Sequence, residues 1–106
     1  LNNLSVRQYL KAERGLDDAA YGAWYAHWIA RGFRAVETWL QAPEAGRFCH
    51  GDAPTLADCF LVPQVYNAER FDCDLAPYPR VRAVAARCRA LAPFALAAPE
   101  KQPDAP

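Results

Sequence analysis

The stretch that most constrains this chain is Gly51-Asp52-Ala53-Pro54-Thr55-Leu56-Ala57-Asp58, running into Cys59-Phe60-Leu61-Val62. Thr55 and Asp58 have the spacing of a reciprocal helix start. The hydroxyl accepts from the backbone N–H three residues on, and the acidic side chain reaches back to the N–H of the first residue. Glu or Gln is more usual at the third position, but Asp also places negative charge at the positive end of the helix dipole. Gly51 and Pro54 shape the turn that delivers the chain to this start. Leu56 to Tyr66 is apolar on nearly every side, which predicts a buried central helix, Thr55–Arg70. Backbone donors at such a start must be satisfied away from water, where an unmade hydrogen bond costs about 1–3 kcal/mol.

The flanking segments read as further helices. Residues from Asn2 to about Arg14 look like the end of one, stopped by Gly15. Asp17 caps a longer one reaching about Gln41. Its apolar positions are Tyr21, Trp24, Tyr25, Trp28, Ile29, Phe33, Val36, Trp39 and Leu40, in steps of one, three or four. Regular spacing favours core packing of the three Trp over a ligand platform. Gly32, on the same stripe, leaves room for another helix to approach. Arg31, Arg34, Glu37 and Gln41 fall on the opposite, polar face. Residues 42–53 form a loop. Pro63 removes one backbone bond inside the central helix and predicts a kink or looser early turns. Pro79 suits the first turn of another helix, with Val81, Val84, Ala85, Cys88, Leu91 and Ala92 inward, ended by Pro93. A short Ala-rich turn over Phe94–Ala98 and an extended tail from Pro99 follow. No segment alternates with period two. The fold class expected is all-α, a single domain over 1–106 with four or five helices bundled around Thr55–Arg70.

Composition removes several classes of function. Basic and acidic residues number 12 each, and this balance argues against nucleic acid or an anionic membrane as the main partner. No apolar run approaches the roughly 18–20 residues of a membrane span, and no signal peptide is visible. The chain begins at Leu1 and contains no Met, which suggests a piece of a longer polypeptide. The four cysteines, Cys49, Cys59, Cys73 and Cys88, form no CxxC pair and read as reduced thiols of a cytoplasmic protein. His27 and His50 have no partner at ligand spacing, so no metal site is expected.

Gly-Asp-x-Pro-Thr-x-Ala-Asp before a buried helix resembles the capping box of the C-terminal helical domain of cytosolic glutathione transferases. Four further stretches narrow the resemblance to the zeta class, the maleylacetoacetate isomerases and their relatives. They are Leu61-Val62-Pro63-Gln64-Val65-Tyr66-Asn67-Ala68-Glu69-Arg70-Phe71, Asp74-Leu75-Ala76-Pro77-Tyr78-Pro79, Gln102-Pro103-Asp104 and Asn3-Leu4-Ser5. The likeness covers nearly the whole chain. It implies a glutathione-dependent cis–trans isomerase acting on a dicarboxylate such as maleylacetoacetate. It also implies a thioredoxin-like N-terminal domain that is absent from this chain and carries the thiol-activating residue, and a homodimer. This chain alone would then be inactive and would supply no catalytic residue.

Arg70 matches the family's carboxylate-binding Arg. At the C-terminal end of the central helix a guanidinium can grip a carboxylate with two hydrogen bonds. The competing role is structural: capping the last carbonyls, or pairing with Glu69 or Asp72. Asn3, Leu4 and Ser5 resemble the glutathione-contacting stretch, against a reading as a solvated helix turn. Some relatives acting on maleylpyruvate carry Arg near here, where this chain has Leu4 and Ser5, with Arg7 two positions on. Asp58, held by backbone N–H groups, is a poor proton carrier and reads as structural. Other functions compatible with the residues are maleylpyruvate isomerisation, another glutathione transferase activity such as dehalogenation or conjugation, and a non-catalytic helical protein-binding module.

Overall fold

A computed structural model describes residues 3–105. Its elements in order are α1 (Leu4–Arg14), α2 (Asp18–Trp39), α3 (Leu56–Arg70), α4 (Pro79–Arg89), α5 (Ala92–Leu96) and a 3-10 turn, Pro99–Lys101. Among the described residues there is no strand, only an isolated bridge between Ala45 and Gly51. The all-α expectation holds. α3 packs chiefly on α4, which also rests on α2 and α5, while α1 lies against α2. The helix through Pro63 is continuous from Leu56 to Arg70.

The start of α3 is built as its residues demand. The Asp58 carboxylate accepts from the Thr55 N–H at 2.7 Å, from the Thr55 hydroxyl at 3.2 Å and, across the preceding loop, from the Cys49 N–H at 2.9 Å. The Cys88 thiol of α4 approaches the same carboxylate at 3.7 Å. Asp58 is completely buried. One side chain therefore ties together the cap, the 42–53 loop and α4. That loop is tighter than a plain connection: a Cβ on Gly46 would stand 2.6 Å from the Gly51 carbonyl and the Asp52 carboxylate, so only glycine fits. The fold it makes drops Phe48 into the core.

Several expectations are corrected. α3 is not enclosed on all sides: Asp58, Leu61, Val65 and Ala68 are buried, but Leu56 and Phe60 are 77% and 79% exposed. The described chain is 21 Å across its thinnest dimension, about two helix diameters, and two layers cover only one face of α3. The buried apolar stripe of α2 is Tyr21, Tyr25, Ile29 and Phe33, with Leu40 buried just past its end; Trp24 is half-buried, Trp28 sits at the edge and Trp39 is 70% exposed. Gly32 lies at the surface with no neighbour against it. On α4, Val81, Val84, Ala85 and Cys88 are buried as expected, but Ala92 is exposed. Pro93 does not end α4; it stands in the first turn of α5, where its missing N–H costs nothing. The tail turns rather than extending, because Gln102 donates its amide to the carbonyls of Leu96 and Ala98.

Glu37 is the largest departure. Placed on the polar face by periodicity, it is 8% exposed and points into the bundle. Its two carboxylate oxygens accept from the N–H groups of Arg80 and Val81, at 3.0 and 2.9 Å. The first turn of α4 starts at Pro79 after Tyr78, which offers no side-chain cap. Glu37 supplies that cap from another helix and places its charge at the positive end of the α4 dipole. Tyr78 completes the joint by donating its hydroxyl to the Ala30 carbonyl at 3.2 Å and setting its ring edge-on to Phe33.

Burial alone would raise the pKa of Asp58. The donors from Cys49 and Thr55 outweigh it and hold the carboxyl below its ordinary value. A depressed folded-state pKa contributes stability that is complete above the unfolded value near about 4 and is lost as pH falls through the folded one. Asp58→Ala is expected to cost about 3 kcal/mol by orphaning buried donors. Asp58→Asn should flatten the acid limb of the stability curve. Denaturant midpoints measured between pH 7 and pH 3 check both. Glu37→Ala should cost about 2 kcal/mol through loss of two charged cap bonds, read by the same titration at pH 7.

Candidate functional site

The sequence places Arg70 at the far end of α3, and the structure leaves its guanidinium uncommitted. The side chain is exposed, lies over the Tyr66 ring one turn back with Cζ 5.8 Å from the centroid, and has no ion pair among the described residues. The competing structural roles are occupied otherwise. Glu69 is held by Arg89 of α4 in a two-pronged pair at 3.0 and 2.8 Å. The last turn of α3 is closed by the backbone: the Phe71 N–H donates to the Asn67 and Ala68 carbonyls, and the Cys73 N–H to that of Ala68. An exposed guanidinium at the negative end of a helix dipole, resting on an aromatic face, is available to a carboxylate. Tyr66 was not singled out from sequence, although its position four residues before Arg70 was the signal.

Asn3, Leu4 and Ser5 form the entry to α1. The Asn3 side-chain oxygen accepts from the Ser5 N–H at 2.9 Å and the Ser5 hydroxyl at 2.6 Å. Asn3 is thus a helix cap rather than part of a continuing helix. Asn3 and Ser5 are both exposed, and Leu4 is 67% exposed. A peptide-like ligand with carboxylate and amide groups fits such donors and acceptors. Arg7, one turn on, lies 5.4 Å above the Tyr21 ring. With Lys11 it holds Asp18 of α2, at 3.3 and 2.9 Å. The hydrogen bond from Lys11, then that from Arg7, keep the Asp18 carboxyl below its ordinary pKa.

The two candidate regions share one aromatic cluster. Tyr21, under Arg7, stands edge-on to Phe71 at 6.0 Å, and Phe71 follows Arg70. Two grooves on the surface do not include them. One, of about 470 Å³, runs between α3 and α4 past Glu69, Arg82 and Arg89; the other, of about 380 Å³, is apolar and runs between α2 and α3 past Phe33, Trp39, Phe60 and Gln64. Among the described residues no cluster of His, Cys, Asp and Glu could hold a metal ion, and no helix is long and apolar enough to cross a membrane.

Residues 22–87 match the glutathione S-transferase C-terminal domain. The chain belongs to that family. A probable maleylacetoacetate isomerase of Vibrio cholerae is 52% identical over 105 residues, which are 99% of this chain and 48% of that protein. The holo structure of a maleylpyruvate isomerase, a bacterial glutathione transferase of the zeta class, superposes with a TM-score of 0.96 at 51% identity, covering 99% of this chain and 50% of the other. A maleylacetoacetate isomerase from Anaeromyxobacter dehalogenans, solved with dicarboxyethyl glutathione and citrate in its active site, gives a TM-score of 0.88 at 52% identity, covering 98% of this chain and 46% of that one. The chain spans about half the length of these relatives.

Three of the four thiols of this glutathione transferase domain are held in the protonated form. The four thiols are free. Burial, reinforced by the hydrogen bond to Asp58 and its charge, pushes the Cys49 thiol up to about 12. Burial and the same carboxylate push Cys88 up to about 11. Burial and the Asp72 charge raise Cys73. Thiolate is the reactive form, so these groups are inert near neutrality. At pH 8 a maleimide or disulfide reagent should modify the exposed Cys59 first, with Cys49 and Cys88 slower by about 100-fold or more until the protein unfolds. Mass-spectrometric mapping of the labelled cysteines over time checks this.

Proposed function

We propose that this chain is the helical half of a glutathione-dependent cis–trans isomerase of the zeta class. Its substrate on this reading is maleylacetoacetate, converted to fumarylacetoacetate in aromatic amino-acid catabolism. The observation that carries it is the freedom of Arg70: a guanidinium at the end of α3, beside a Glu69 already held by Arg89. The nearby relatives act, by their names, on maleylacetoacetate or maleylpyruvate. The structure with dicarboxyethyl glutathione and citrate belongs to a relative of the same length class, of which this chain covers 46%.

In this reading Arg70 grips a substrate carboxylate with two charged hydrogen bonds and offsets negative charge that develops on the substrate during rotation. Asn3 and Ser5 meet the polar groups of glutathione from the first turn of α1, and Leu4 packs against its backbone. Glutathione, when bound, supplies the thiol that adds to the double bond and later leaves. Thiol activation falls to a thioredoxin-like domain on the N-terminal side of the same polypeptide. The exposed Leu56 and Phe60 of α3 are the apolar residues such a domain would cover. The working protein is a homodimer in the cytoplasm.

Maleylpyruvate is the second substrate reading, supported by the 51% identical holo structure. Assay of the full-length protein with each substrate, with and without glutathione, separates the two. Arg70→Ala should raise KM for the dicarboxylate about 10- to 100-fold, the worth of charged hydrogen bonds of about 1.5–3 kcal/mol. KM for glutathione should stay within about twofold. An unchanged dicarboxylate KM would remove Arg70 from the site. Turnover that does not need glutathione would refute the thiol-assisted reading, and absent turnover with both substrates would favour a non-catalytic binding module.

A further inference from the structure

Arg70 is aimed by the turn that follows it. Phe71 ends α3 with φ −103° and ψ 16°, and Asp72 takes φ +51°, the one described non-glycine residue in the left-handed region. That conformation is uncommon outside glycine. Here it swings the chain off the helix so that the Cys73 N–H returns to the Ala68 carbonyl at 2.9 Å. The turn carries the Phe71 ring inward onto Tyr25, with centroids 4.1 Å apart and planes 20° from parallel. Adjacent residues at a helix end point about 100° apart, so seating Phe71 inward fixes Arg70 outward over Tyr66.

Tyr25 is the fixed member of this stack. It is fully buried in the middle of α2 and also touches the Tyr21 ring. The Gln64 amide of α3 acts on its phenol, and neither the phenol oxygen nor Gln64 Nε2 closes a well-formed hydrogen bond. Burial raises the phenol pKa, while Gln64 and, more weakly, the charge of Arg70 act to lower it. We propose that Tyr25 is a positioning residue for Arg70: by stacking on Phe71 it locks the last turn of α3 and the direction of the guanidinium that holds the substrate carboxylate. The proposal rests on the role given to Arg70 above.

A mutant cycle in the full-length protein tests it. Tyr25→Phe keeps the stack and should leave the dicarboxylate KM within about twofold. Tyr25→Leu loses it and should raise that KM about tenfold, with kcat and the glutathione KM within about twofold. Tyr25→Leu combined with Arg70→Ala should be no worse than Arg70→Ala alone, because one effect acts through the other. Multiplying effects, or an unchanged KM in Tyr25→Leu, would overturn the proposal. If Tyr25→Leu does not fold, Phe71→Leu opens the same stack from the other side and is read by the same cycle. If Arg70→Ala leaves KM unchanged, the function assigned to Arg70 fails. Nuclear relaxation of the Arg70 Nε–H group then decides the positioning: order lost in Tyr25→Leu and kept in Tyr25→Phe supports it, and equal order in all forms refutes it.

Discussion

The carboxylate of Asp58 is the constraint on which the rest of the domain hangs. A buried charge is costly unless its lone pairs are filled. Here they are filled by Thr55 at the start of α3, Cys49 in the loop and Cys88 on α4. Each donor comes from a different part of the fold. The bonds therefore do more than begin a helix: they set the register between α3, the loop that carries Phe48 into the core, and the helix packed on the other side. The same arrangement explains why two of the thiols are passive. Both sit against a negative charge in an apolar setting, which favours the protonated form.

Glu37 plays the matching part for α4. A helix opening on Pro79 after Tyr78 has no cap of its own, and the acid that serves it lies on α2, 43 and 44 residues away in sequence. Between them Asp58 and Glu37 fix one end of α3 and one end of α4 by charge rather than by packing alone. The opposite ends of α3 and α4 are joined by the Glu69–Arg89 pair, and that of α3 is seated by Phe71 on Tyr25.

What was legible in the sequence follows from range. The Thr55–Asp58 box and the Pro79 start depend on residues within one helical turn, and both were readable. So was the all-α class, because the apolar spacing of α2 repeats over its whole length. The inward Glu37 was not, since its partners belong to another helix and helical spacing alone puts it with Arg34. The Trp residues misled for a related reason: periodicity names a stripe but not its centre, and the centre is Tyr21, Tyr25, Ile29 and Phe33. The candidate site was legible only in part. Motif likeness pointed to Arg70 and to Asn3, Leu4 and Ser5. That Glu69 would be taken by Arg89, or that Asn3 would spend its oxygen on Ser5, required the fold.

The pairing of Glu69 bears most directly on what Arg70 can do. Two charged residues adjacent in sequence at a helix end have every opportunity to neutralise each other or a shared neighbour. Here Arg89 takes the carboxylate from across the α3–α4 contact with both of its prongs, while the Arg70 guanidinium lies over Tyr66. An exposed pair of this kind contributes little to stability, so its consequence lies in the charge it leaves behind. With Glu69 spoken for, the positive end of Arg70 keeps its full attraction for an external carboxylate, and the negative end of the α3 dipole keeps that guanidinium close. The surface groove along Glu69, Arg82 and Arg89 does not include Arg70 in its lining.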